Sequence, residues 1–142
     1  MLVDANLLLY ARDTASSFHA KARDWLTASL NGSVRVGLPW QSLVAFLRIS
    51  THPRASERPL GLEEAWRQVE AWLSAPSAWI PRPTERHADV FGRLLAVHEL
   101  RGNLVTDAHL AALAIEHGIA VCSADTDFAR FSELRWVNPL AR

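Results

Sequence analysis

Short apolar runs alternate along this chain with longer stretches in which apolar residues return every three or four positions. The first run, residues 1 to 5, predicts a buried strand ending at Asp4, where the apolar residues stop at an Asp-Ala-Asn turn signal. From Ser16 to Leu30, Phe18, Ala22, Trp25, Leu26 and Leu30 recur at helical spacing, and Asn31-Gly32 supplies a stop. Val34 to Leu38 predicts a second strand. Pro39 suits the first turn of a helix over 39 to 51, whose stripe runs through Trp40, Leu43, Val44 and Leu47. The segment HPRASERPLG, residues 52 to 61, reads as a loop. Leu62, Ala65, Trp66, Val69, Trp72 and Leu73 give the clearest 3.6-residue stripe, closed by Ala75-Pro76. A short strand around Trp79 and Ile80 follows. Thr84 is placed to cap a helix whose buried face carries Phe91, Leu94, Leu95 and His98, ending near Arg101-Gly102. The stretch NLVTDAHLAALAIEHG is apolar most of the way round, as a helix buried on several sides would be. Ala120 to Ser123 predicts a strand, a helical turn follows Asp125, and Leu134 to Val137 predicts the last strand.

Strands alternating with helices, without hairpin signals between them, imply an α/β fold with a central parallel sheet and helices on both faces. At 142 residues, about half of them hydrophobic, the chain fits a single domain over 1–142 that folds without metal or disulfide staples. Fifteen basic and fifteen acidic residues cancel, so a nucleic-acid surface would have to be a local patch. Only Lys21 among the basic residues is lysine, which a GC-rich genome explains as readily as a preference for guanidinium contacts. The lone Cys122, among Ile119, Ala120 and Val121, reads as a buried strand thiol. The N-terminus lacks a basic region followed by a long apolar one, and no window reaches membrane-span length, so a cytoplasmic protein is expected.

In parallel α/β sheets the chemistry lies outside the carboxyl ends of the strands, and Asp4 and Asp125 each follow such an end. Alone, Asp4 fits a strand-closing cap as well as a ligand. Asp107 is harder to explain structurally: Leu104, Ala108, Leu110, Ala111 and Ala114 surround it near a helix start, where an uncompensated charge is costly. With Asp125 and Asp127, these residues would crowd three or four carboxylates at one sheet edge, a group that takes up protons or binds a cation. An all-oxygen donor set points to Mg²⁺ or Mn²⁺, which suits phosphodiester hydrolysis.

The segments LVDANLLLYA, LPWQSLVAFLRISTHPR, GNLVTDAHLAALAIEHG and CSADTDFARFSELRWVNPL together resemble the PIN-domain ribonucleases, specifically VapC-type toxins of bacterial toxin–antitoxin modules. The resemblance covers nearly the whole chain. It implies a three-layer α/β/α fold, Mg²⁺- or Mn²⁺-dependent endoribonuclease activity on RNA, a homodimer, and inhibition by a small VapB-like antitoxin. By the resemblance, Asp4, Asp107 and Asp125 match the family's metal-binding acids and Asp127 a frequent extra catalytic acid. Asn6 and Ser123 fall where polar residues orient these carboxylates.

The chain departs from the family at Ala45, where a glutamate is usual, and no acid lies between Val34 and His52. Either Asp127 compensates, or a second metal arrives with the RNA phosphate, or activity is low. Arg48 would hold an RNA phosphate or, preferably, pair with a site carboxylate. Arg54 and Arg58 are candidate phosphate contacts in what is otherwise a solvated loop. His109 lies on a different helical face from Asp107 and reads as structural, while the other histidines carry no assigned chemistry. Trp25, Trp66 and Trp72 lie on apolar stripes and read as core or interface rather than base-stacking platforms. Two alternatives stand beside the ribonuclease: a catalytically weak or inactive PIN domain that binds RNA or antitoxin, and a haloacid-dehalogenase-type phosphatase. The phosphatase needs a lysine near the phosphoryl group, and Lys21 lies on an early amphipathic helix.

Overall fold

The computed structural model describes residues 1–141. Five parallel two-residue strands form one sheet: β1 (Leu2–Val3), β2 (Val36–Gly37), β3 (Ala78–Trp79), β4 (Val121–Cys122) and β5 (Trp136–Val137), in the order β3-β2-β1-β4-β5. All five lie inside the apolar runs that predicted them or overlap them. Six helices connect or flank the strands: α1 (Ala5–Arg12), α2 (His19–Leu30), α3 (Trp40–Ser50), α4 (Leu62–Leu73), α5 (His87–His98) and α6 (Asn103–His117). A 3-10 turn, Thr126–Arg130, follows β4.

Alternation along the strands divides the core into two layers. Val3 and Cys122 face a cluster built from α1, α2, α3 and α4, in which Phe46 and Trp72 meet edge to face at 4.8 Å. Leu2 and Val121 face the opposite cluster, built from α5, α6 and the 3-10 turn through Val90, Leu94, Ala111, Phe128 and Phe131. The result is the expected α/β/α arrangement about a parallel sheet. Gly37 is closely packed, since a Cβ there would lie 3.1 Å from Pro81 and 3.2 Å from the Met1 carbonyl and would require those neighbours to give way.

Helix α1 was not legible in the pattern, since Asp4-Ala5-Asn6 reads as a turn. It forms because the Asp4 side chain accepts the Ala5 N–H as an N-cap while Leu7 and Leu8 are buried against the sheet. Thr84 does not cap α5. That helix starts at His87, and the Thr84 hydroxyl instead accepts the Arg86 N–H. It also stops earlier than Arg101-Gly102, at His98, with Glu99 in the left-handed region at φ 51°. Trp66 is 41% exposed, so only the interface half of its expected role fits this chain alone. No helix among the described residues is long and apolar enough to cross a membrane.

The sheet order fixes the site. From central β1 the chain winds outward through β2 and β3, then returns to build β4 and β5 on the other side, so its winding reverses between β1 and β4. At such a switch point the connections diverge and leave a crevice at the strands' carboxyl ends.

Candidate functional site

Asp4 and Ser123 end β1 and β4 side by side, because the Asp4 N–H donates to the Cys122 carbonyl at 3.0 Å. The Asp4 carboxylate is firmly held. One oxygen accepts from Ala5 N–H at 2.8 Å, and the other accepts from the Ser123 hydroxyl at 2.8 Å and from Asn6 Nδ2 at 3.3 Å. Ser123 is fully buried; its Oγ also accepts from Asn6 Nδ2 and from the Asp125 N–H, both at 3.0 Å. Asn6 Oδ1 takes the Ala124 N–H at 3.3 Å, and Trp136 Nε1 donates to the Ser123 carbonyl at 2.9 Å. Asn6 and Ser123 therefore stitch the ends of β1 and β4 together around the first acid. Ser42 adds a brace from α3, donating from a buried hydroxyl to the Val3 carbonyl at 2.7 Å.

Asp125 caps the 3-10 turn by accepting the Asp127 N–H at 2.9 Å. Asp107 enters from the second turn of α6. Carboxylate oxygens of Asp107, Asp125 and Asp127 all lie within 4.8 Å of one another. Asp107 and Asp125, two of the acids expected to ligate, belong to this group together with Asp127, and the Asp4 charge lies near enough to act on Asp107 and Asp125.

Electrostatics mark the group as short of positive charge. Partial burial pushes the Asp107 carboxyl up to about 6, and the negative charges of Asp125, Asp4 and Asp127 push the same way against the weaker pull of Arg130. Asp4 is also raised, first by burial and then by Asp125, with its hydrogen bonds opposing. The setting expected for Asp107 was apolar; in the fold it is half-buried and its other neighbours are carboxylates. Arg130, on the 3-10 turn, lies 3.8 Å from Asp127 and supplies local positive charge that the sequence reading missed. A hard divalent cation fits a group of oxygen donors this close, since it would relieve the repulsion that raises Asp107.

The PIN-domain family model matches residues 1–134. This chain belongs to the PIN-domain family. It is 49% identical to "Ribonuclease VapC37" of Mycobacterium tuberculosis over 140 residues, covering 99% of this chain and 97% of the relative. It is 40% identical to "Ribonuclease VapC33" of the same species, covering 99% and 98%. Among solved structures, VapBC-1 from nontypeable Haemophilus influenzae superposes with TM-score 0.69 at 15% identity, covering 99% of this chain and 98% of that one. VapBC2 from Rickettsia felis, solved with a promoter DNA fragment, gives 0.67 at 15% identity over 96% of each chain. These structural matches bear on the fold. The phosphatase alternative falls with the family match, and Lys21 donates to the Leu140 carbonyl at 2.8 Å, where its ammonium is engaged with the C-terminal segment.

The remaining candidates divide. Arg48 is exposed on α3 of this PIN domain, and the expected pairing with a site carboxylate is not formed among the described residues. Arg54 and Arg58 are exposed in the loop after α3. Arg58 lines a cleft of about 920 Å³, together with residues of α1, α2, α3 and α4, and none of the four site acids lines it. Cys122 is buried, which pushes its thiol up to about 11 and fits an inert strand cysteine.

The sequence reading also passed over Glu116, whose side chain is wholly buried on α6. It accepts from the Thr84 N–H and from His87 Nδ1, both at 2.5 Å. Burial alone would raise this carboxyl, yet those donors bring it below its ordinary value. The signal available was a glutamate inside a helix apolar on nearly every side, which demands a partner.

Proposed function

We propose that this PIN domain, a single domain over 1–142, is a metal-dependent endoribonuclease: the toxin of a toxin–antitoxin module, neutralised by a cognate VapB-like antitoxin. The observation that carries the reading is the group of Asp107, Asp125 and Asp127 beside Asp4 at the carboxyl edge of the sheet. Relatives named as ribonucleases over essentially the whole chain support the activity, and solved VapBC assemblies of the same fold support the antitoxin.

In this reading Asp107, Asp125 and Asp127 hold Mg²⁺ or Mn²⁺, and Asp4 completes the acidic group. The ion supplies charge neutralisation as negative charge builds on the phosphate oxygens. Ser123 and Asn6 orient Asp4, and the Ser123 hydrogen bond opposes the upward push of burial on its carboxyl. Arg130 offers a guanidinium to the RNA phosphate once an ion takes over the balancing of Asp127. Arg48, Arg54 and Arg58 are exposed and available as weaker backbone contacts. A homodimer and a cytoplasmic location belong to the same proposal.

The second reading, a weak or inactive domain that binds RNA or antitoxin, draws on Ala45, half-buried on α3 where an acid is usual in the family. Incubating purified protein with total cellular RNA decides between them. Cleavage that requires Mg²⁺ or Mn²⁺, stops with EDTA and disappears in Asp107→Asn supports the nuclease. Cleavage that persists in chelator sinks the metal mechanism, and tight RNA binding without cleavage favours the second reading.

A further inference from the structure

Helix α6 carries Asp107 but starts without a side-chain cap: its N-cap is Gly102, at φ 58°. The first turn of a helix has unpaired N–H groups and frays when nothing holds it. Gln41, in the first turn of α3, reaches across to it. Its Nε2 donates to the Thr106 carbonyl at 3.1 Å, and its Oε1 accepts from His109 Nδ1. Those two partners bracket Asp107 in sequence. Gln41 also lies one helical turn before Ala45, on the same face of α3.

The His109 end of this bridge is anchored in turn. Its ring packs edge-on against His87 at 4.9 Å and Phe91 at 5.6 Å, both on α5, and His87 donates to the buried Glu116. A chain of contacts thus runs from α3 through Gln41 to α6 and on to α5, fixing the segment from which Asp107 projects.

We infer that Gln41 is a positioning residue for Asp107: its paired hydrogen bonds to Thr106 and His109 hold the start of α6 where Asp107 meets Asp125 and Asp127. The inference rests on the proposed metal site and says how a chain lacking an acid at Ala45 keeps that site assembled. Gln41→Met keeps the side chain's length and removes both hydrogen bonds. Mn²⁺ affinity, measured calorimetrically, should fall about tenfold, within the range found when partners that orient metal ligands are removed. Hydrogen exchange of the Asp107 to Ala111 amides in metal-free protein should quicken, while exchange in β1 and β4 stays at the parent rate. Gln41→Glu, which retains the acceptor for His109, should show a smaller change in exchange than Gln41→Met. Mn²⁺ affinity within twofold of the parent in Gln41→Met overturns the inference. If the parent itself fails to bind Mn²⁺, the metal-site reading fails instead, and unchanged α6 exchange in Gln41→Met then overturns the role of Gln41 independently.

Discussion

Two carboxylates on α6, nine residues apart, have opposite fates. Glu116 is wholly buried yet its carboxyl is lowered; Asp107 is only half-buried yet its carboxyl is raised to about 6. Burial acts in the same direction on both, so the difference lies in what each meets. Glu116 meets donors, the Thr84 N–H and the His87 ring, whereas Asp107 meets three other acids and one partly exposed arginine. The first is a satisfied structural group. The second is a charge whose partner the protein itself does not supply, as a site for a divalent cation requires.

The contrast can be broken most severely at Glu116. Glu116→Ala leaves the Thr84 N–H and His87 without their acceptor, and losing one partner of a buried pair costs ~3–5 kcal/mol. A melting-temperature drop of roughly 10–17 °C is expected by calorimetry. Asp107→Asn should do the reverse to stability: at pH 7.5 without metal, its melting temperature equals or exceeds the parent's, because a repelled charge is gone. The same variant should lose Mn²⁺ affinity by about 100-fold or more, the upper end of what removal of mere orienting partners costs. A metal-free protein destabilised by Asp107→Asn would mean that this carboxylate has a structural partner after all.

Ser123→Ala sharpens the comparison from a third side, removing a hydroxyl donor that favours the charged form of Asp4. Its cost should be about 1.5 kcal/mol in denaturant titrations, typical of a hydrogen bond to a charged group. The smallest effect expected is the pH dependence of the metal-free protein. Asp107 binds its proton more tightly folded than unfolded, so its contribution to stability falls as pH rises from about 4 to about 6. Glu116 acts oppositely: its contribution is present above its ordinary value near 4.5 and is lost as pH falls through its lowered folded value. Melting curves across pH 3 to 7, for the parent and for Asp107→Asn, separate the two; the parent should lose more stability than Asp107→Asn on going from about pH 4 to about pH 6, because Asp4 is raised in both, and saturating Mn²⁺ should remove the difference.

Much of this was legible in one dimension. The five strands and five of the six helices follow from where apolar residues fall, because burial on a sheet or along a helix imposes periods that are written into the sequence. Helix α1 escaped because its first residues mimic a turn, and only the Asp4 cap and the burial of Leu7 and Leu8 make it helical. The acids at positions 4, 107, 125 and 127 stood out because carboxylates after strands, or within an apolar helix, are costly without a reason. Ser42, Trp136, Arg130, Gln41 and the Glu116–His87 pair did not stand out as parts of the site. Arg130 pairs locally, with Asp127 on the same turn; each of the others acts through a partner distant in sequence, on a strand end or helix brought close by the fold.

Sequence alone determined the α/β class, the order of its elements and which acids could gather at a sheet edge, since each is a property of local pattern. Only the tertiary structure decided that carboxylate oxygens of Asp107, Asp125 and Asp127 come within 4.8 Å of one another, with Asp4 held beside them by Ser123 and Asn6. Asp4 accepts from Ser123 across the β1–β4 seam, and hydrogen bonds spanning more than a hundred residues leave no trace in spacing.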